Sequence, residues 1–218
     1  MNTAMSPEAK SIKRPTRRRR ESRAVEIRKA GLADVLSMRT MQARAMRILG
    51  SRFYSRDEIQ SFLDLVGTVE EAVVTEGHFF VAIDSEQRAI GSGGWSRLVP
   101  RYAQFAQSSE TAHGASQPAL GWATVRSVFV APEFTRRGIA QGIMQRIETD
   151  AAAAGIFLLH LTATLSGEAF YRSIGYEGDI HSHVQLTDGT RLGCVRMCKF
   201  IAETAMPTPR AAGASQPN

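Results

Sequence analysis

A glycine preceded by two arginines, set between a β-rich run and a helical run, is an arrangement that can hold phosphate. Thr135 to Ala140 reads Thr-Arg-Arg-Gly-Ile-Ala. Before it runs ATVRSVFV (123–130), closed by Ala131-Pro132; after it comes Gly-Ile-Ala-Gln-Gly-Ile-Met. The first amides of a helix have no intrahelical partner, and the helix dipole leaves them partly positive. A di- or triphosphate fits there, with Gly138 letting the backbone come close and Arg136 or Arg137 adding charge. An ordinary βα turn with two solvated arginines has the same letters, so the hexapeptide needs support from the rest of the chain. No Gly-Lys-Ser/Thr follows it, which excludes a P-loop nucleotidase. Gly91, Gly93 and Gly94 lack dinucleotide-binding spacing and precede no helix. In a strand such glycines serve a bulge or close packing.

The elements that must position this turn are legible from periodicity. Val25–Ala30 alternates as a short strand, and residues 32–49 carry Leu32, Val35, Leu36, Met38, Met46 and Leu49 on one helical face. A second helix starts at the capping box Ser55-x-x-Glu58, with a stripe of Ile59, Phe62, Leu63 and Val66, and stops at Gly67. His78–Ile83 and Ala89–Leu98 read as a hairpin around 84–88. A loop rich in Gln, Ser, Ala and Gly fills 100–121, and loops of this length are usually functional or mobile. The strand before the turn leads into a helix over about 138–154, with Ile139, Ile143, Ile147 and Ala151 buried and Gly155 as its cap. Ile156–Leu161 reads as a central strand covered on both faces. A short helix over 166–174 ends at Gly175, and strands near 179–186 and 191–200 flank the turn Thr187-Asp188-Gly189-Thr190. This order predicts one mixed α/β domain over 25–202.

The 218 residues are 43% apolar and 22% charged, ordinary globular values with room for a sizeable core. The net charge of +6 sits in residues 1–24, which hold eight Lys/Arg against Glu8 and Glu21; the remainder is neutral. The four-arginine run can meet nucleic acid or anionic lipid by charge alone, but a neutral body without an RNA-binding motif makes nucleic acid an unlikely partner of the fold. Residues 1–24 and 203–218 are expected to be disordered tails, and the leader is not expected to be a secretory signal. No apolar run approaches the roughly 20 residues that span a bilayer, so no membrane partner is expected. Cys194 and Cys198 lie four apart in one predicted strand, about 13 Å, too far to bridge. A reducing, cytoplasmic setting follows as the default.

The element order, with the turn after the fourth strand, resembles the GCN5-related N-acetyltransferase (GNAT) family over about 25–200. The family's Arg/Gln-x-x-Gly-x-Gly/Ala signature is matched by Gly138 and Ala140, with Thr135 in the first position. A second motif reads Ala163-Thr-Leu-Ser-Gly-Glu-Ala-Phe-Tyr-Arg-Ser-Ile-Gly-Tyr176; Tyr171 and Gly175-Tyr176 match, and Thr164 stands where the family has Asn. Gly94–Arg97, the RSVFV strand and Ala-Thr-Leu-x-Gly-Glu look like a bacterial branch of unassigned substrate. The resemblance implies a single GNAT-like domain, a mixed sheet of about seven strands flanked by about four helices, with the fourth and fifth strands splayed.

What the resemblance implies for function is N-acetyl transfer from acetyl-CoA to a primary amine of a small molecule or peptide, directly within a ternary complex. Arg136, Arg137, Gly138, Ile139 and Ala140 would hold the pyrophosphate, and Phe129 and Val130 would pair with pantetheine like an added strand. Thr164 joins this coenzyme set, and a backbone amide near Val130 would polarise the thioester carbonyl. Tyr171 is the expected general acid, since a phenol with pKa near ~10 stays protonated until sulfur charge develops. The family's Glu on the fourth strand is absent and Arg126 sits mid-strand, so the base candidates are Glu110 and His113 in the long loop, His160, and His181 or His183, with a water-mediated base or an already neutral amine as the alternatives. His160 reads as a core residue, and Glu168 as a brace for its helix. His181 and His183 share a strand face but lack a third ligand, so no metal is expected. Trp95, Arg97 and Trp122, with Tyr102, are the expected acceptor-site walls, and Arg97 with Arg126 would pair a substrate carboxylate. The alternative is a non-catalytic acyl-CoA sensor on the same fold. A homodimer stays open.

Overall fold

The computed structural model describes residues 25–98 and 121–201. Both expected tails and the long loop, with Tyr102, Glu110 and His113, lie outside the described residues. Seven strands form one mixed sheet in the order β1-β2-β3-β4-β5-β7-β6. They are β1 (Glu26–Lys29), β2 (Phe79–Ile83), β3 (Ala89–Ser96), β4 (Trp122–Val130), β5 (Leu158–Thr164), β6 (Glu177–Gln185) and β7 (Arg191–Phe200). The helices are α1 (Val35–Leu49), α2 (Arg56–Ser61), α3 (Glu71–Thr75), α4 (Ile139–Ala153) and α5 (Glu168–Ser173). Among the described residues the count exceeds the expected four by α3, whose five residues are too few to show a helical period. No helix among the described residues is long and apolar enough to cross a membrane.

Alternation along β2 sends side chains to two layers. Phe79, Val81 and Ile83 pack with Val35, Met38 and Val73 of α1 and α3; Phe80 and Ala82 join Ile139, Ile143 and Ile147 of α4. Two glycines of β3 make room for α4: a Cβ on Gly91 would meet Ile139 Cγ2 at 2.8 Å, and one on Gly93 would meet Ile143 Cγ2 at 3.0 Å.

Two expectations are corrected by backbone detail. The second helix begins at its predicted box, with Glu58 N–H donating to Ser55 Oγ at 3.2 Å and Ser55 N–H to Glu58 Oε2 at 2.8 Å. It then widens into a π-helical turn over Phe62–Val66 before Gly67, at φ 75°, ends it. β5 starts at Leu158 and alternates in burial rather than being covered on both faces. Leu159, Leu161 and Ala163 enter the core, while half-buried His160 meets Trp122 edge-on.

Candidate active site

β4 and β5 are parallel neighbours, but they pair only at Trp122–Leu158, Ala123–Leu159 and Thr124–His160. Beyond Thr124, β4 stays on β3 as far as Val130, while β5 runs on with β7 as far as Thr164–Cys194. The backbone of β4 over 125–130 therefore faces a gap. A cavity of about 260 Å³ fills it, with Arg126, Phe129 and Val130 on one side, Thr164, Phe170 and Tyr171 on the other, and α1 and the π turn as its roof.

The open stretch of β4 carries a bulge. Ser92 pairs with Phe129 and Gly94 with Arg126, so Ser127 and Val128 together oppose Gly93. Ser127 has φ 50°, outside the comfortable range of a non-glycine residue. Its carbonyl is held from the α1 side, accepting from Ser92 Oγ at 3.3 Å and Gln42 Nε2 at 3.5 Å. Gln42 is fully buried; Nε2 also donates to Ser92 Oγ at 2.8 Å, and Oε1 accepts from Val69 N–H at 2.8 Å. One side chain thus fixes the bulge and the 67–70 segment together.

At the end of β4 the chain makes a 3-10 turn over Pro132–Phe134 and enters α4 through Gly138, which is left-handed at φ 78°. Nothing lies within 4 Å of a Cβ built there, so the space over the helix start is open. Thr135 Oγ1 donates to the Pro132 carbonyl at 3.0 Å. The hydroxyl at the first position of the signature is thus engaged in closing its own turn. Arg137 donates to the Glu133 carbonyl at 2.9 Å and lies over the Phe134 ring. Arg136 is exposed and has no partner among the described residues. Arg44 of α1 reaches over to Glu133, its Nη1 2.7 and 2.6 Å from the two carboxylate oxygens. The Glu133 carboxyl is held below its ordinary value by the backbone amide it accepts and by Arg44.

Tyr171 is buried against Phe170 and Tyr176 and lines the cavity. Thr164 lines it too, its hydroxyl 3.0 Å from Ser166 Oγ. The expected acceptor walls divide. Arg126 lines the cavity, but Trp95, Arg97 and Trp122 do not. Trp95 is buried on the α4 face, stacked on His78 with ring centroids 4.0 Å apart, its Nε1 donating to Asp150 at 2.9 Å. Arg97 donates to the Ala154 carbonyl at the end of α4. Arg97 and Arg126 are therefore on opposite faces of the sheet, because an odd residue separation across the β3–β4 ladder puts them there, and they do not form a pair.

Three site residues carry no sequence signal of their own. Glu70, N-terminal to α3, lines the cavity and meets Arg126 Nη2 at 3.4 Å. Gln42 reads as an ordinary helix residue. Tyr54, in the α1–α2 connection, accepts from Leu165 N–H at 2.7 Å and donates to the Gly193 carbonyl at 2.7 Å. Burial pushes its phenol up to about 12. Of the remaining candidates, the His160 imidazole is pulled below its ordinary value by burial. Glu168 bonds Arg172 on its own helix at 2.9 and 3.0 Å. His181 and His183 are exposed on edge strand β6.

Residues 75–178 match the family model described as an acetyltransferase (GNAT) domain. Among solved structures, the chain is similar to a GCN5-related N-acetyltransferase from Rhodopseudomonas palustris at 16% identity and TM-score 0.58, covering 80% of this chain and 94% of that one. It is similar to the PaiA N-acetyltransferase of Thermoplasma acidophilum in complex with coenzyme A, at 15% identity and TM-score 0.58 over 81% and 99% of the two chains. A GNAT family acetyltransferase from Brucella melitensis in complex with acetyl-CoA follows at 17% and 0.51 over 85% and 92%. At these identities the likeness is one of fold. No curated protein matches the chain.

Proposed function

We propose that this chain, which through residues 75–178 belongs to the GNAT acetyltransferase family, transfers an acetyl group from acetyl-CoA to a primary amine in a ternary complex. The observation that carries this is the gap between β4 and β5, with a helix N-terminus at one end and Tyr171 inside it. The coenzyme is bound in two similar structures, one holding coenzyme A and the other acetyl-CoA. Its pyrophosphate would lie on the amides of 137–140, with Arg136 as the cation free to meet it. Its pantetheine arm would run along the open edge at Phe129 and Val130. Thr164 would face it across the gap.

The bulge supplies a better oxyanion donor than the amide near Val130 that the sequence suggests. In a planar trans peptide the N–H points opposite to the preceding carbonyl. The Ser127 carbonyl is tied toward β3 and α1, so the Val128 N–H is aimed at the gap. The acceptor ammonium loses one proton and its nitrogen attacks the acetyl carbon. As the C–S bond breaks, the coenzyme sulfur leaves as a thiolate and takes the Tyr171 proton; the second amine proton passes through a base to solvent and the phenol is reprotonated. Glu110 and His113 remain among the sequence's candidates for that base. Cys194 and Cys198 are both free thiols, in keeping with the reducing, cytoplasmic setting we assign.

The test is release of free thiol from acetyl-CoA across a panel of primary amines. Amine-dependent release supports the enzyme; tight coenzyme binding with no release on any amine points to the sensor instead.

A further inference from the structure

Some ion pairs made by exposed cations are loose, Arg39 meeting Glu71 at 3.4 Å and Lys29 meeting Asp150 at 3.3 Å, whereas those of buried Asp84 and half-buried Lys199 are close and well supported. Asp84 takes Arg88 at 2.7 and 3.0 Å and two backbone amides besides. Lys199 meets Glu148 at 2.9 Å. Arg126 differs. Its side chain is only 10% exposed, yet its two bonds are long, Nη1 to the Leu98 carbonyl at 3.3 Å and Nη2 to Glu70 at 3.4 Å. A guanidinium has five N–H donors, and charged N–H···O bonds settle near ~2.8 Å. Among the described residues nothing else bonds Arg126. A cation so deeply set and so loosely held is placed to receive an anion from the cavity. Its partner carboxylate, Glu70, faces the same cavity. The wall beside them is apolar, made by Leu49 of α1, Phe62 and Val66 of the π turn, and Leu192 of β7.

We infer that Arg126 and Glu70 are a receptor for a zwitterion, and that the acceptor is a free α-amino acid with an apolar side chain. Arg126 takes its carboxylate, Glu70 holds its ammonium on arrival, and the side chain lies among Leu49, Phe62 and Val66. This rests on the acetyltransferase reading. One carbon separates the two charges of an α-amino acid, so its head lies alongside an ion pair whose own charges are in contact. A peptide amino terminus, its carboxyl converted to an amide, meets only Glu70. Acetylation removes the ammonium charge, so the product loses its attraction to Glu70 and leaves.

Thiol release from acetyl-CoA is compared for L-leucine, L-leucinamide and 3-methylbutylamine, which share a side chain. kcat/KM for leucine is expected to exceed both others by roughly tenfold or more, the scale of one charge-assisted hydrogen bond. Arg126→Met, with coenzyme binding measured to show that it folds, should lower turnover of leucine far more than that of the amine and so collapse the preference. Glu70→Gln should raise KM for leucine. If leucinamide or the amine is acetylated as well as leucine, or if the folded Arg126→Met variant keeps its preference, the zwitterion receptor is wrong while the acetyltransferase stands. If no amine releases thiol although the coenzyme binds, both readings fall.

Discussion

Tyr171 lines the gap and Gly138 opens the helix at its end; they carry different parts of the proposed reaction, so they fail in different ways. Tyr171→Phe removes the proton donor and keeps the ring that packs on Phe170 and Tyr176. It should lower kcat by roughly 10² with coenzyme affinity kept, the usual scale for losing a general acid; stopped-flow or steady-state thiol release checks this, and an unchanged kcat would remove Tyr171 from the role. Gly138→Glu places a carboxylate in the open space over the helix start. It should abolish acetyl-CoA binding in calorimetry, whereas Gly138→Ala, which bears only the penalty of a left-handed backbone, about 1 kcal/mol, should bind. Both residues were legible because their motifs are local: a βα turn, and a Tyr a fixed distance before Gly-aromatic. Glu70 was not, since it reaches Arg126 from 56 positions away across an α-helix and two strands. Trp95 misled for a related reason. Its place in β3 was clear, but which face α4 covers is set by packing and by the register with β2, where Phe80 opposite Gly93 also joins the α4 cluster, and no residue type announces that.

The helix α4 and hairpin β2–β3 are fastened through Asp150. Its carboxylate accepts from Trp95 Nε1 at 2.9 Å, lies 2.6 Å from His78 Nδ1, and pairs with Lys29 of β1 at 3.3 Å. Burial alone would raise this carboxyl, but bonds from His78, Trp95 and Lys29 outweigh it and hold it below the ordinary aspartate value. A depressed carboxyl lends stability that is present above its unfolded pKa, ~3.9, and is lost as pH falls through the lower folded value. Asp150→Asn should therefore cost roughly 1–3 kcal/mol near neutrality. In urea titrations at stepped pH, the gap between wild type and variant should close below about pH 4. At this scale the sequence read well in α4, where Ile139, Ile143, Ile147 and Ala151 are all buried, and only in part in α1, where Val35, Met38 and Met46 are buried but Leu32, Leu36 and Leu49 are exposed and Met41, Gln42 and Ala45 are buried besides. It read poorly where an element is shorter than its own period, as in α3, or where backbone hydrogen bonding changes without a change in residue pattern, as in the π turn.

The whole molecule is one sheet nearly divided in two. On one side are β1–β4 with α1–α4; on the other are β5–β7 with α5; three residue pairs join β4 to β5. We propose that 25–202 is the complete coenzyme-binding body, flanked by tails at 1–24 and 203–218. Deleting 1–24, which carries all of the net charge, should leave acetyl-CoA affinity unchanged in calorimetry; loss of binding would make the leader part of the site. One mixed α/β sheet was foreseeable from the order of elements and the splay of β4 from β5 from the family resemblance, but the strand order with β7 inside β6 was not foreseen. The fastening of the two halves was not, because Tyr54 gives no periodic signal and its partners are the backbone of Leu165 and Gly193, more than a hundred positions away. Its phenol is a crossbar from the α1–α2 connection to both β5 and β7. The Leu165 amide proton can exchange with solvent only when that crossbar lets go. Its deuterium uptake is thus a clock for the parting of the two halves: saturating acetyl-CoA, which would span them, should slow it, and Tyr54→Phe should set it running fast with or without ligand.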